Sequence, residues 1–155
     1  MYNSQIKDYW SEYLESLPED QRSSNFIYCA EQWGDSNELA QELGELIASG
    51  VKTATCSSLW EYEFEGGQIP EVGIKTIVLD GKNEPLCIVE TVSVQIVPYD
   101  QVSAEFAYME GEGDRSLEYW KSAHWSFFTR VLKKIRKEPA MDMPLVCEKF
   151  KVVYK

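Results

Sequence analysis

The chain has 155 residues, a net charge of −11, and a composition that is 44% hydrophobic and 13% aromatic. That length suits one domain, residues 1–155, with its own core, and the lack of low-complexity tracts or repeats excludes a disordered or fibrous protein. So acidic a chain does not coat nucleic acid through bulk charge, so no DNA partner is expected; with no run near the roughly 20 apolar residues that span a bilayer and no leader-like N-terminus, no membrane is expected either and a cytoplasmic location is.

Asn3 to Leu17 places Ile6, Tyr9, Trp10, Tyr13, Leu14 and Leu17 at spacings of three and four, which predicts a helix laid on the main body and stopped by Pro18. Asn25 to Ala30 reads as a short strand. Asp35-Ser36-Asn37-Glu38 has an aspartate three residues before a glutamate, the pattern of a capping box, and Leu39, Leu43, Leu46 and Ile47 then form one helical stripe that ends at Gly50. Gly50 suits the left-handed turn after a helix, so Lys52 emerges at the junction between that helix and the strand Thr53-Ala54-Thr55-Cys56.

Leu59 to Phe64 fits either a strand or one more helical turn, and so few residues leave both open. Ile74 to Leu79 and Pro85 to Val97 form a long hairpin about Asp80-Gly81-Lys82-Asn83, with Asp-Gly suited to positive φ. Glu90 stands on the second strand among apolar neighbours: a central position would demand a partner for its carboxylate, and a solvent face would not. Tyr99 to Met109 predicts a short helix, and the polar loop Glu110 to Ser116 leads into another, with Asp114 or Ser116 as its cap.

That last helix, Ser116 to Lys137, carries Leu117, Trp120, His124, Phe127, Val131 and Ile135 on one stripe. His124, the only histidine, reads first as a hydrogen-bonded core residue, with catalysis as the alternative. Charge is uneven: residues 115–155 hold ten basic and four acidic side chains, including Arg130, Lys133, Lys134, Arg136 and Lys137, a cluster favourable at a helix C-terminus. Leu145 to Tyr154 closes the chain as a strand. Cys29, Cys56, Cys87 and Cys147 lack the close pairs of a zinc site and read as buried thiols, so neither metal nor cofactor is expected.

In its order of elements the chain resembles an ASCH domain, a family similar to the RNA-binding PUA domains. The likeness rests on Gly50-Val51-Lys52-Thr53-Ala54-Thr55, which matches the G-x-K-x-x-T signature, and on further blocks. These include Trp33-Gly34-Asp35-Ser36, Leu59-Trp60-Glu61-Tyr62-Glu63, Val78-Leu79-Asp80-Gly81, Cys87-Ile88-Val89-Glu90-Thr91, the run Glu110 to Trp120, and His124-Trp125-Ser126-Phe127-Phe128, as in a longer bacterial subgroup. The resemblance implies an α+β fold, a small PUA-like β-barrel flanked by several helices, with the signature at the mouth of a cleft.

It also implies an RNA or modified-nucleoside partner and a hydrolase, with a non-catalytic RNA-binding module as the alternative. Small family members that hydrolyse N4-acetylcytidine use a lysine, a threonine and a strand glutamate, by position Lys52, Thr55 and Glu90. Lys52 would then be the base for Thr55, and Glu90 would orient it or relay the proton. Other members act as ribonucleases through the signature lysine and a serine, here Ser116 first and Ser126 second. Asp114, Arg115 and Ser116 form an opposing loop able to read a base edge or ribose, and Trp60 is available to stack a base.

Overall fold

The computed structural model describes residues 3–22 and 27–155. Helix α1 (Ser4–Ser16) is capped by Asn3, whose side chain accepts from the Ile6 amide, and it buries Ile6, Trp10 and Tyr13. Strand β1 (Tyr28–Gln32) takes up the later part of the predicted strand; Asn25 and Phe26 lie outside the described residues. Helix α2 (Asn37–Ala48) starts from Ser36, whose hydroxyl accepts from Leu39 N. Asp35, the expected cap, instead binds Arg130, so Ser36 is left to satisfy the orphan amide.

Strand β2 (Ala54–Ser58) runs directly into α3 (Leu59–Glu65), which settles the ambiguous segment as helix, closed by Gly66 at φ 68°. Strands β3 (Lys75–Leu79) and β4 (Pro85–Pro98) form the predicted hairpin. Its left-handed residue is Asn83 rather than Gly81, because one Asp80 carboxylate oxygen accepts from the amides of both Lys82 and Glu84 and winds the turn about them. The next helical segment divides into a 3-10 turn (Tyr99–Gln101) and α4 (Ala104–Glu110). Helix α5 (Leu117–Lys133) is shorter than expected, since Lys134 to Arg136 bond back three residues and Arg136 turns left-handed, before β5 (Pro144–Tyr154).

Among the described residues the five strands form one sheet in the order β1-β3-β4-β5-β2, parallel between β1 and β3 and antiparallel elsewhere. It curls into a half-barrel, an α+β architecture in which α1 to α5 flank the sheet. Alternation splits the hairpin between two cores: Ile77, Leu79 and Ile88 face α1, while Val78, Cys87 and Val89 face Ile47 of α2 and Phe150. A third core gathers α4, α5 and the ends of β2, β4 and β5 around Trp120, Phe128 and Leu132. Among the described residues no helix is long and apolar enough to cross a membrane.

Two left-handed glycines differ in what surrounds them. Gly50 (φ 82°) has open space where a Cβ would stand, whereas a Cβ on Gly111 (φ 74°) would lie 2.7 Å from the Val51 carbonyl oxygen and 3.0 Å from Lys52 Cα. Gly50→Ala should therefore cost only the backbone strain, about 1 kcal/mol, and Gly111→Ala should add overpacking for a total of about 2–4 kcal/mol. Chemical denaturation of the two variants measures the difference.

Candidate functional site

After Gly50 the chain reverses sharply, because the amides of Val51 and Lys52 both donate to the Leu46 carbonyl at 3.0 Å. The Thr53 amide then donates to Met109 O (2.8 Å), and Thr53 O accepts from the Phe150 amide (3.0 Å). Lys52 is thereby pinned between the end of α4 and β5, and it is 1% exposed. Its ammonium donates to Glu110 Oε1 at 2.9 Å and Glu112 Oε2 at 3.2 Å.

Glu110, the last residue of α4, is also 1% exposed. Its second oxygen accepts from the Trp120 indole N–H and lies 3.2 Å from His124 Nε2. His124 Nδ1 is 2.9 Å from the Trp120 carbonyl, and its ring stacks on the Trp120 indole. Both ring nitrogens thus face acceptors, the arrangement of an imidazolium donating twice.

Burial alone would pull the Lys52 pKa down, but Glu110 and Glu112 outweigh it and hold the lysine above its usual value. Burial likewise opposes ionisation of Glu110, yet Lys52 and His124 keep its carboxyl well below the usual range. The His124 ring is lowered by burial and raised more strongly by Glu110, for a net rise. Lys52 therefore remains an ammonium at neutral pH and has no lone pair with which to act as a base.

Above this network a cleft of about 290 Å³ opens between α2 and α5. Lys52, Thr55, Glu110, Glu112 and His124 reach it, Trp33 and Phe127 are among its aromatic lining, and Ser126 and Arg130 also line it. Arg130 binds Asp35 at 2.7 Å and donates to the Ser126 hydroxyl at 3.1 Å. A smaller hollow of about 190 Å³ beside β4 and α4 has only Glu105 and Lys149 as charged lining residues, so the convergent polar groups belong to the larger cleft.

Of the residues singled out in the sequence, Lys52, Thr55 and the second-choice Ser126 share this cleft. Glu90 does not join them. It sits opposite Lys75 and Lys151 on the flanking strands and bonds Lys75 at 2.9 Å and Lys151 at 3.6 Å, which lowers its pKa, chiefly through Lys75. Ser116 is the cap of α5, accepting from Tyr119 N, and Asp114 accepts from the Ser116 amide. Arg115 donates to the carbonyls of Tyr108 and Val51 and lies 3.6 Å over the Tyr108 ring. Its role in the fold is to fasten the loop beside Lys52. Trp60 packs on the third core, with Lys137 Nζ 5.2 Å from its ring centre.

Sequence reasoning missed the partners of Lys52. Glu110 occupies the buried face of α4 with Ala107, a spacing of three that hints at burial, but nothing local pairs it with Lys52 or His124. A further carboxyl, Glu148, stands opposite Thr55 in the β2–β5 ladder. Burial first, then the Glu31 carboxylate, raise Glu148 to about 7, partly offset by a bond from the Thr91 hydroxyl.

Because Glu110 compensates a buried ammonium, Glu110→Gln should lower unfolding free energy by about 3–5 kcal/mol. In a double-mutant cycle with Lys52→Met the two losses should fall short of additivity by about 2 kcal/mol or more; additive losses measured by denaturation would mean that the pair is not energetically coupled.

Comparison with known proteins places this geometry in a family. The ASCH domain matches residues 29–154. The crystal structure of an ASCH domain from Lactobacillus crispatus JV V101 is similar at TM-score 0.94 and 35% identity, covering 99% of this chain and 96% of that one. A protein from Enterococcus faecalis V583 is similar at TM-score 0.86 and 37% identity, with 97% and 88% covered. No curated protein matches. With the match extending over most of its length, the chain belongs to the ASCH domain family, a PUA-like group of domains that are generally RNA-binding.

Proposed function

We propose that the cleft binds one unstacked base of a single-stranded RNA, or the nucleoside carrying such a base. The observation that carries this reading is the buried, ion-paired Lys52–Glu110–His124 network at the floor of a cleft with aromatic lining. The floor is too rich in carboxylates to favour a phosphate. Glu112, at 18% side-chain exposure, is its accessible member and suits the exocyclic amine of a base, while Trp33 and Phe127 suit a ring face. Phosphates would follow the basic end of α5 from Arg130.

A hydrolytic version is favoured by one observation, the placement of Thr55 opposite a carboxyl that titrates near neutrality. Directly opposed residues in an antiparallel ladder stand about 5 Å apart at Cβ. On an acylated nucleoside, the Thr55 hydroxyl would attack the acyl carbon and pass its proton to Glu148. The Lys52 ammonium would offset the oxyanion charge, the nucleoside amine would leave with the proton from Glu148, and water would release the acyl group. Lys52 thus acts as a fixed charge in this reading, and Glu148 takes the part of the base that sequence reasoning gave to Lys52.

Fluorescence anisotropy with single-stranded RNA tests the binding reading. Phe127→Ala should weaken binding by about 1–3 kcal/mol, and the pair Lys133→Ala, Lys134→Ala should reduce the slope of log affinity on log salt by about 1–2. Full affinity after loss of Phe127 would remove the base from the cleft. For the hydrolytic version, purified protein is incubated with acylated nucleosides and with RNA beside Thr55→Val, which should lose turnover while keeping RNA affinity.

Glu148 also makes a prediction for stability. Its folded pKa of about 7 lies above the unfolded value near ~4.3, so the folded chain holds a proton that the unfolded chain releases. The contribution is fully present below that lower value and is lost as pH rises through about 7. Glu148→Gln should therefore stabilise the protein by about 1–3 kcal/mol near pH ~8 and change it little near pH ~4, measured by denaturation at both.

A further inference from the structure

We propose that Cys56, Glu110 and His124 form a binding site for one divalent transition-metal ion of borderline softness, of which zinc and cobalt are the representatives. Among the described residues, the donor atoms of these three side chains all lie within 4.8 Å of one another. Each comes from a different element, Cys56 from β2, Glu110 from the end of α4 and His124 from α5, and all three are buried yet reach the cleft. A thiolate, an imidazole and a carboxylate are the donor set of a three-ligand site with one open position, here the cleft side.

The geometry is close to what coordination requires. Two ligands each about 2.0 Å from a tetrahedral ion stand about 3.3 Å apart, and His124 Nε2 is 3.2 Å from Glu110 Oε2. The Trp120 carbonyl 2.9 Å from Nδ1 holds a proton on that nitrogen and leaves Nε2 for the ion, the outer-shell arrangement usual for a ligating histidine. Glu110 can ligate through Oε2 without giving up Lys52, which is bound to Oε1, and the Trp120 indole N–H continues to orient the ligating oxygen. Cys56 Sγ has only to close the remaining gap. A dication would displace one proton from Cys56 and one from His124, so the ion adds no net charge to the buried network.

The inference goes beyond the RNA reading and is read out without RNA or substrate. Full-length protein, freed of metal by a chelator, is titrated with cobalt(II) and followed by absorption. The expected result is saturation at about one cobalt per chain, with a sulfur-to-cobalt charge-transfer band and the intense visible bands of four-coordinate cobalt, both displaced by zinc. Cys56→Ser should remove the charge-transfer band, and His124→Gln should weaken zinc binding at least about tenfold by chelator competition. Cys147→Ser, which changes the thiol opposite Cys56 in the ladder, should leave the band in place. Circular dichroism checks that each variant is folded. Absence of saturable binding to the unmutated chain, or a Cys56→Ser spectrum identical to it, would overturn the proposal whatever the variants' stability.

Discussion

The buried contact between Lys52 and Glu110 is the constraint around which the site half of the molecule is arranged. Taking an ammonium and a carboxylate out of water costs several kcal/mol each, and their attraction repays this only when the remaining donors and acceptors are also satisfied. The surroundings meet that condition. Glu112 takes a second Lys52 proton, the Trp120 indole and His124 fill the other Glu110 oxygen, and the Trp120 carbonyl fills the far side of the imidazole. Gly111 allows the α4 terminus to approach Val51 and Lys52 closely enough for the pair to form, and Arg115 ties the following loop to the Val51 carbonyl.

This arrangement accounts for how one short signature comes to line the cleft. Gly50 ends α2, the shared Leu46 carbonyl bends the chain back, and the ladder from Thr53 onward makes Thr55 face Glu148. The curl of the sheet leaves β1 and β2 at its two edges, so residues after β1, residues of β2 and the two helices α2 and α5 can converge on one cleft. The charge state follows from burial combined with pairing: groups that would be neutral in isolation are held ionised, and Glu148, whose nearest charged influence is another carboxylate, is pushed the opposite way. A lysine fixed as a cation and a carboxyl titrating near neutrality divide between them the electrostatic and proton-accepting parts that any hydrolytic use of the cleft would need.

Much of the fold was legible because its signals are local. The aromatic stripe of α1, the leucine stripe of α2, the Asp80 turn and the long hairpin each depend on residues within a few positions, and the match of ordered blocks carried the family. Where a local reading failed, the cause lay far along the chain: Ser36 replaced Asp35 as a cap because Arg130, distant in sequence, engaged the aspartate.

The candidate site divides along the same line. Sequence alone determined that Lys52 and Thr55 stand at a helix-to-strand junction, since a glycine stop and a three-residue spacing are properties of the backbone. It could not supply the partners, because an ion pair spanning 58 residues and a ladder register joining Thr55 to Glu148 are products of how the strands and helices assemble. Glu90 shows the reason most plainly. A carboxylate among apolar neighbours could stand paired on a central strand or face solvent, and only the sheet register decided that Lys75 and Lys151 would pair with it while Glu110 was left for Lys52.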